Sequence, residues 1–176
     1  MSKTVIGILI GAVLLLVGMA VSLPKHEETR IGQQHESEGQ QHLSSVDQKH
    51  VAYKTDPPTS GPHYTQPAAW GTSENEIPDE QLVHNLEHGG VVITYKPDLP
   101  EDAIDSLRVV AANLTMRDSQ TSNKGFKVVL APRKANKTAV QLSAWRYSLR
   151  LDSVDQNKIQ EFYRDRPNIA PEANAR

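Results

Sequence analysis

The sequence predicts an α+β domain, a small mixed or antiparallel sheet with packed helices, preceded by one N-terminal transmembrane helix. Two observations predict the domain. β-Branched runs, "VVITYKP" and "GFKVVLAP", read as strands. Between them "PEDAIDSLRVVAANLTM" repeats Ile104, Leu107, Ala111 and Leu114 at helical spacing, so a helix must pack on the sheet. A third observation predicts the membrane helix: residues 5–23, "VIGILIGAVLLLVGMAVSL", carry no charge.

In chain order, the uncharged run comes first. At ~1.5 Å rise per residue it spans roughly 28 Å, close to a hydrocarbon core. Lys3 precedes it, and Pro24 and Lys25 close it. Residues 1–24 therefore read as a retained anchor, single-pass in the cell membrane, with the C-terminal domain outside the cytoplasm. The rival is a cleavable signal peptide, since Ala20 and Ser22 are small and two apart. Both readings export residues 25–176.

Residues 25–49, "KHEETRIGQQHESEGQQHLSSVDQK", hold only Ile31, Leu43 and Val46 as sizeable apolar side chains. So little burial does not offset ordering entropy, and a flexible tether is expected. His26, His35 and His42 then read as solvated linker histidines, with a weak metal-collecting arm as the alternative.

The exported α+β domain is expected over residues 50–176. "HVAYK" reads as a short strand. The irregular segment after it holds Pro57, Pro58, Pro62, Pro67 and Pro78, which fix φ and stiffen a loop without regular structure. "DEQLVHNLEHGG" reads as a short helix capped by Asp79 and stopped at Gly89 or Gly90. Pro100 suits the first turn of the next helix. "TAVQLSAWRYSLRLD" alternates as one or two strands. "SVDQNKIQEFYRDR" is an amphipathic helix using Val154, Ile159, Phe162 and Tyr163, and "PNIAPEANAR" is an extended tail.

Composition narrows the chemistry. The net charge of -2 presents no basic field for nucleic acid. There is no cysteine, so any metal must be held by imidazole, carboxylate, thioether or backbone oxygen. Ser60 and Ser143 have no triad context.

Histidine placement is the remaining signal. On a helix, His84 and His88 lie one turn apart on one face. His63 sits in the stiff Pro-rich loop and His50 at the edge of the first strand. The expected ligand set is His50, His63, His84 and His88, holding a copper or zinc ion. Glu87 is expected on another face of the helix, as an acceptor or salt-bridge partner. The bland alternative has His88 at the helix end, where a cation is favoured, and His84 bonded to nearby backbone. His84 to His88 also fit the H-x-x-E-H pattern of inverted zinc peptidases, but Gly89 and Gly90 end the helix where that motif needs it to continue.

"HVAYKTDPPTSGPHY", "LVHNLEHGGVVITYKP", "VVLAP", "SAWRYSLRLDS" and "YRDRPNIAPE" together resemble the family known as domain of unknown function 3105, over roughly residues 50–172. The resemblance implies a bacterial or archaeal protein with one membrane helix and an exported domain. It places His50, His63, His84, Glu87 and His88 in family motifs and implies no established activity. Two departures stand out. "PRKANKT" lacks the methionine of a Gly-Met pair, leaving Met116 as the nearest thioether candidate, and Ala144-Trp145-Arg146 replaces Ala-Trp-Gly.

The reading that follows is a membrane-tethered extracytoplasmic metal-binding protein, copper in preference to zinc, for storage, sensing or delivery. Its partners would be the membrane, through the N-terminal helix, and a membrane complex or metal-delivery protein. The alternatives are an accessory interaction subunit without metal and a metal-dependent hydrolase. Fractionation should place the full chain in membranes, and deleting residues 1–24 should release a soluble domain. Recovery of the intact chain in the cytosol would contradict the exported reading.

Overall fold

A computed structural model describes residues 30–121, 127–166 and 169–175. The expected anchor and His26 lie outside these residues. Among the described residues, no helix is long and apolar enough to cross a membrane.

The first four strands are two residues each: β1 (Gln33–Gln34), β2 (His42–Leu43), β3 (His63–Tyr64) and β4 (Gly71–Thr72). Helix α1 (Asp79–Glu87) leads into β5 (Val91–Tyr95), and α2 (Glu101–Thr121) leads to β6 (Val128–Pro132). A hairpin of β7 (Val140–Ala144) and β8 (Tyr147–Leu151) precedes α3 (Gln156–Arg164). Six strands form one mixed sheet, ordered β1-β8-β7-β5-β6-β4, while β2 and β3 pair as a separate parallel ribbon. β5 and β6 run parallel, because α2 crosses over between them, and β7 returns antiparallel beside β5.

The sheet is a mixed one, covered on both faces, which is why β5 and β6 are buried throughout. Alternation divides their side chains. Val91, Ile93, Tyr95, Val128 and Leu130 meet Leu107 and Val110 of α2 and Ile159 and Phe162 of α3. Val92 and Val129 face the other way, onto Leu82, Val83 and Leu86 of α1 and onto Trp145. Helix α1 is thus fixed against the sheet by one stripe, leaving its opposite side for other partners.

Several expectations need correction. "HVAYK" forms no strand. Val51 is exposed, and Tyr53 donates its hydroxyl hydrogen to the Pro62 carbonyl instead of joining a sheet. Residues 30–49, expected to be a tether, lie along the domain. Their hold is backbone pairing, together with the buried Leu43 and with Ile31 packed on the core. His35 N–H donates to Arg146 O at 2.8 Å, Gly61 N–H to Gly39 O at 3.1 Å and His63 N–H to Gln41 O at 2.8 Å. Composition reads side-chain burial, so it is blind to this. Asp79 does not cap α1, because Pro78 holds that position; the Asp79 carboxylate instead accepts two bonds from the Arg133 guanidinium, at 2.9 and 2.7 Å. The tail is not extended over residues 169–175: it turns against the end of α1, where Glu172 N–H donates to Glu87 O at 3.0 Å.

Two glycines make the α1–β5 corner. Gly89 has φ +82°, the left-handed conformation that ends a helix. Gly90 lies under Trp70, and a Cβ there would stand 2.5 Å from the indole and 2.8 Å from Asn85 O. Gly90→Ala should therefore destabilise the domain by about 1–3 kcal/mol, the range of overpacked sites. Denaturant unfolding would read it, and an unchanged midpoint would mean that Trp70 is free to move aside.

Candidate metal centre

The last turn of α1 carries His84 and Glu87, which as i, i+3 neighbours share one side of the helix. That side faces the β2–β3 ribbon. In the ribbon His42 stands opposite His63, so their rings fall together, with centroids 4.6 Å apart. The His84 ring lies 5.0 Å from that of His63 and 5.3 Å from that of His42. Each of these three histidines offers a ring nitrogen, all within 4.8 Å of one another. The Glu87 carboxylate enters the same cluster: its Oε2 is 2.9 Å from His63 Nε2 and 3.5 Å from His42 Nε2. The loop holding His63 is itself buried from Pro57 to Pro62. Asn85 pins the loop that follows, bonding both backbone groups of Ala68 at 2.9 Å.

Hydrogen bonds set which ring nitrogens are available. His63 Nδ1 lies 2.8 Å from Gly61 O, and His84 Nδ1 lies 2.6 Å from Tyr64 O. A carbonyl only accepts, so both rings carry their hydrogen on Nδ1. In the neutral rings both Nε2 atoms then hold lone pairs, that of His63 beside Glu87 and that of His84 beside His88 Nε2. This is the arrangement in which a second-shell carbonyl prepares an imidazole for a metal.

Burial pushes the His63 pKa down, the Gly61 carbonyl and the Glu87 carboxylate oppose that less strongly, and the His42 and His84 rings add to the lowering. A neutral His63 therefore sets an Nε2 lone pair 2.9 Å from a carboxylate oxygen. Two acceptors at that distance need a positive charge between them, a proton or a metal ion. The cluster also lies at the C-terminal end of α1, where the helix field favours a cation.

The donor set suits a borderline ion. Three imidazoles and one carboxylate make four ligands, the number zinc takes at ~2.0–2.1 Å per nitrogen. A tetrahedron of that size needs nitrogens about 3.3 Å apart, so the observed cluster closes with small side-chain rotations.

Of the histidines expected to bind metal, His63 and His84 are brought together. His88 Nε2 touches His84 Nε2 at 3.0 Å but lies outside the group of three. His50 is not brought to the cluster. Its Nε2 meets Glu80 at 3.2 Å, seven residues before Glu87, or about 10 Å along the helix axis. Glu87 points into the cluster, not onto another face. His42 was expected in the tether. The available sign was Leu43, one of three sizeable apolar residues in that polar segment and directly after His42, which is 1% exposed.

A family model described as "Protein of unknown function (DUF3105)" matches residues 45–176. The chain belongs to the DUF3105 family. No curated protein and no solved structure matches it. His63, His84 and Glu87 lie inside the DUF3105 match, whereas His42 lies just before it.

The lowered His63 pKa has a signed consequence. The unfolded chain takes up a proton at the ordinary histidine value, ~6.5, before the folded ring does. The stability tied to His63 is therefore full above that value and falls as pH drops below it. Metal-free protein should unfold at progressively lower temperature between about pH 7 and pH 5. His63→Gln should flatten that slope, and an undiminished slope would assign it to other groups.

Proposed function

We propose that this chain is a membrane-tethered, extracytoplasmic metal-binding protein that holds one zinc or copper ion at His42, His63, His84 and Glu87. One observation carries the reading. His63 and His84 both give Nδ1–H to backbone carbonyls, so each keeps its lone pair on Nε2, and that of His63 stands 2.9 Å from a buried carboxylate oxygen with the His84 and His42 rings packed around it. A purely structural cluster gains nothing from setting that lone pair against a carboxylate without a cation to share it.

The four donors are nitrogen and oxygen, which favours a divalent ion over a cuprous one. Among divalent ions such a site binds copper more tightly than zinc, so metal availability decides between them. The exposed edge of His42, 45% accessible against 0% for His63, supports reversible exchange with solvent or a delivery partner, as storage, sensing or delivery require. The uncharged run at residues 5–23 supports tethering at the membrane.

Metal analysis of the purified chain should find about one zinc or copper per molecule. Added zinc should stabilise the wild type by about 2.7 kcal/mol at a hundredfold excess over Kd. His63→Ala and His84→Ala should abolish both effects, and His50→Ala should leave both intact. An equal response to metal in wild type and His84→Ala would refute the site.

A further inference from the structure

Beside the proposed site lies a second pair of donors. His88 Nε2 is 3.0 Å from His84 Nε2 on one side and 3.5 Å from Glu172 Oε2 on the other. Glu172 belongs to the C-terminal strap and is 53% exposed, whereas Glu87 is 1% exposed. Backbone fixes the strap: Glu172 N–H donates to Glu87 O at 3.0 Å, and Lys127 Nζ bridges His88 O and Ala173 O at 2.5 and 2.7 Å. A Cβ on Gly89 would meet Ala173 at 3.3 Å, so strap and helix end are in close contact. Glu172, His88, His84 and the inner cluster thus form a continuous line of donors running from solvent to the buried site.

We infer that Glu172 and His88 form an outer loading station that passes a divalent metal ion through His84 to the inner site. This rests on the metal reading above. A hydrated cation is drawn first to an accessible carboxylate, and Glu172 offers one where Glu87 does not. His84 is the shared ligand, because its Nε2 faces His88 while its ring lies 5.0 Å from that of His63 and 5.3 Å from that of His42.

The step is ligand substitution without redox change. Glu172 Oε2 and His88 Nε2 replace two waters on the ion. The hydrogen on His88 Nε2, which the His84 tautomer requires there, leaves to solvent as a proton from solvent binds Nδ1, so the ring stays neutral and turns an Nε2 lone pair to the ion. His84 Nε2 then bonds the ion, bonds to His63 and His42 form, and those to Glu172 and His88 break. As the ion moves inward, Nε2 of His88 takes a proton back from solvent and Nδ1 gives one up, restoring the starting tautomer.

A donor that touches the ion only in transit alters loading and release by the same factor, leaving their ratio in place. Stopped-flow zinc loading and chelator-driven release on the full chain would read this. Glu172→Gln keeps the backbone bond to Glu87, and His88→Phe keeps a ring of similar size. Each should slow both rates about tenfold. Glu101→Gln on α2 removes the same charge far from the site and should change neither. Wild-type rates in both variants would overturn the loading station. Faster release with unchanged loading would also overturn it, by making Glu172 or His88 a resting ligand. A wild-type chain that binds no zinc would instead overturn the metal reading itself.

Discussion

The contact between His63 and Glu87 is the interaction on which the rest of this structure depends. A carboxylate and an imidazole meet at 2.9 Å with 1% and 0% of their side chains exposed. Groups of this kind are costly to bury and must be positioned by rigid surroundings. Those surroundings account for the most irregular part of the chain. The Pro57–Pro62 loop is buried whole because it carries His63 beneath the last turn of α1. The 39–43 segment is drawn in to satisfy the backbone of that loop, and it brings His42 with it.

The sheet supplies the rigid frame. α1 is held on the face of Val92 and Val129 by Leu82, Val83 and Leu86, so its other side is presented at a fixed angle to the β2–β3 ribbon. At its start, Arg133 ties Asp79 and Asp56 together, at 2.7 and 2.8 Å, joining the helix to the beginning of the Pro-rich loop. At its end, Lys127 and the strap occupy the last carbonyls. Both ends of a nine-residue helix are therefore anchored, as a site at its final turn requires.

The departure at Arg146 has a local explanation. It occupies the turn between β7 and β8 with φ 64°, a conformation glycine adopts without cost and other residues seldom adopt. Its side chain offsets the strain by donating from Nε to His35 O at 3.0 Å, and its carbonyl accepts from His35 N–H at 2.8 Å. The arginine thereby helps hold the segment that carries His42 against the sheet edge.

By itself the sequence determined the α+β class, the strands at 91–95 and 128–132 and the helices after Pro78 and Pro100, and it marked His63 and His84 as candidate ligands. Periodicity and proline placement are local signals, and these elements obey them. Only the tertiary structure decided which other groups join that pair. His42 arrives through backbone pairing between segments some twenty residues apart, which side-chain composition does not register. His50 departs because the chain between it and His63 is bent by buried prolines, taking it to Glu80 at the far end of α1. Glu172 reaches the site because the tail folds back over Gly89, a contact between residues more than eighty positions apart.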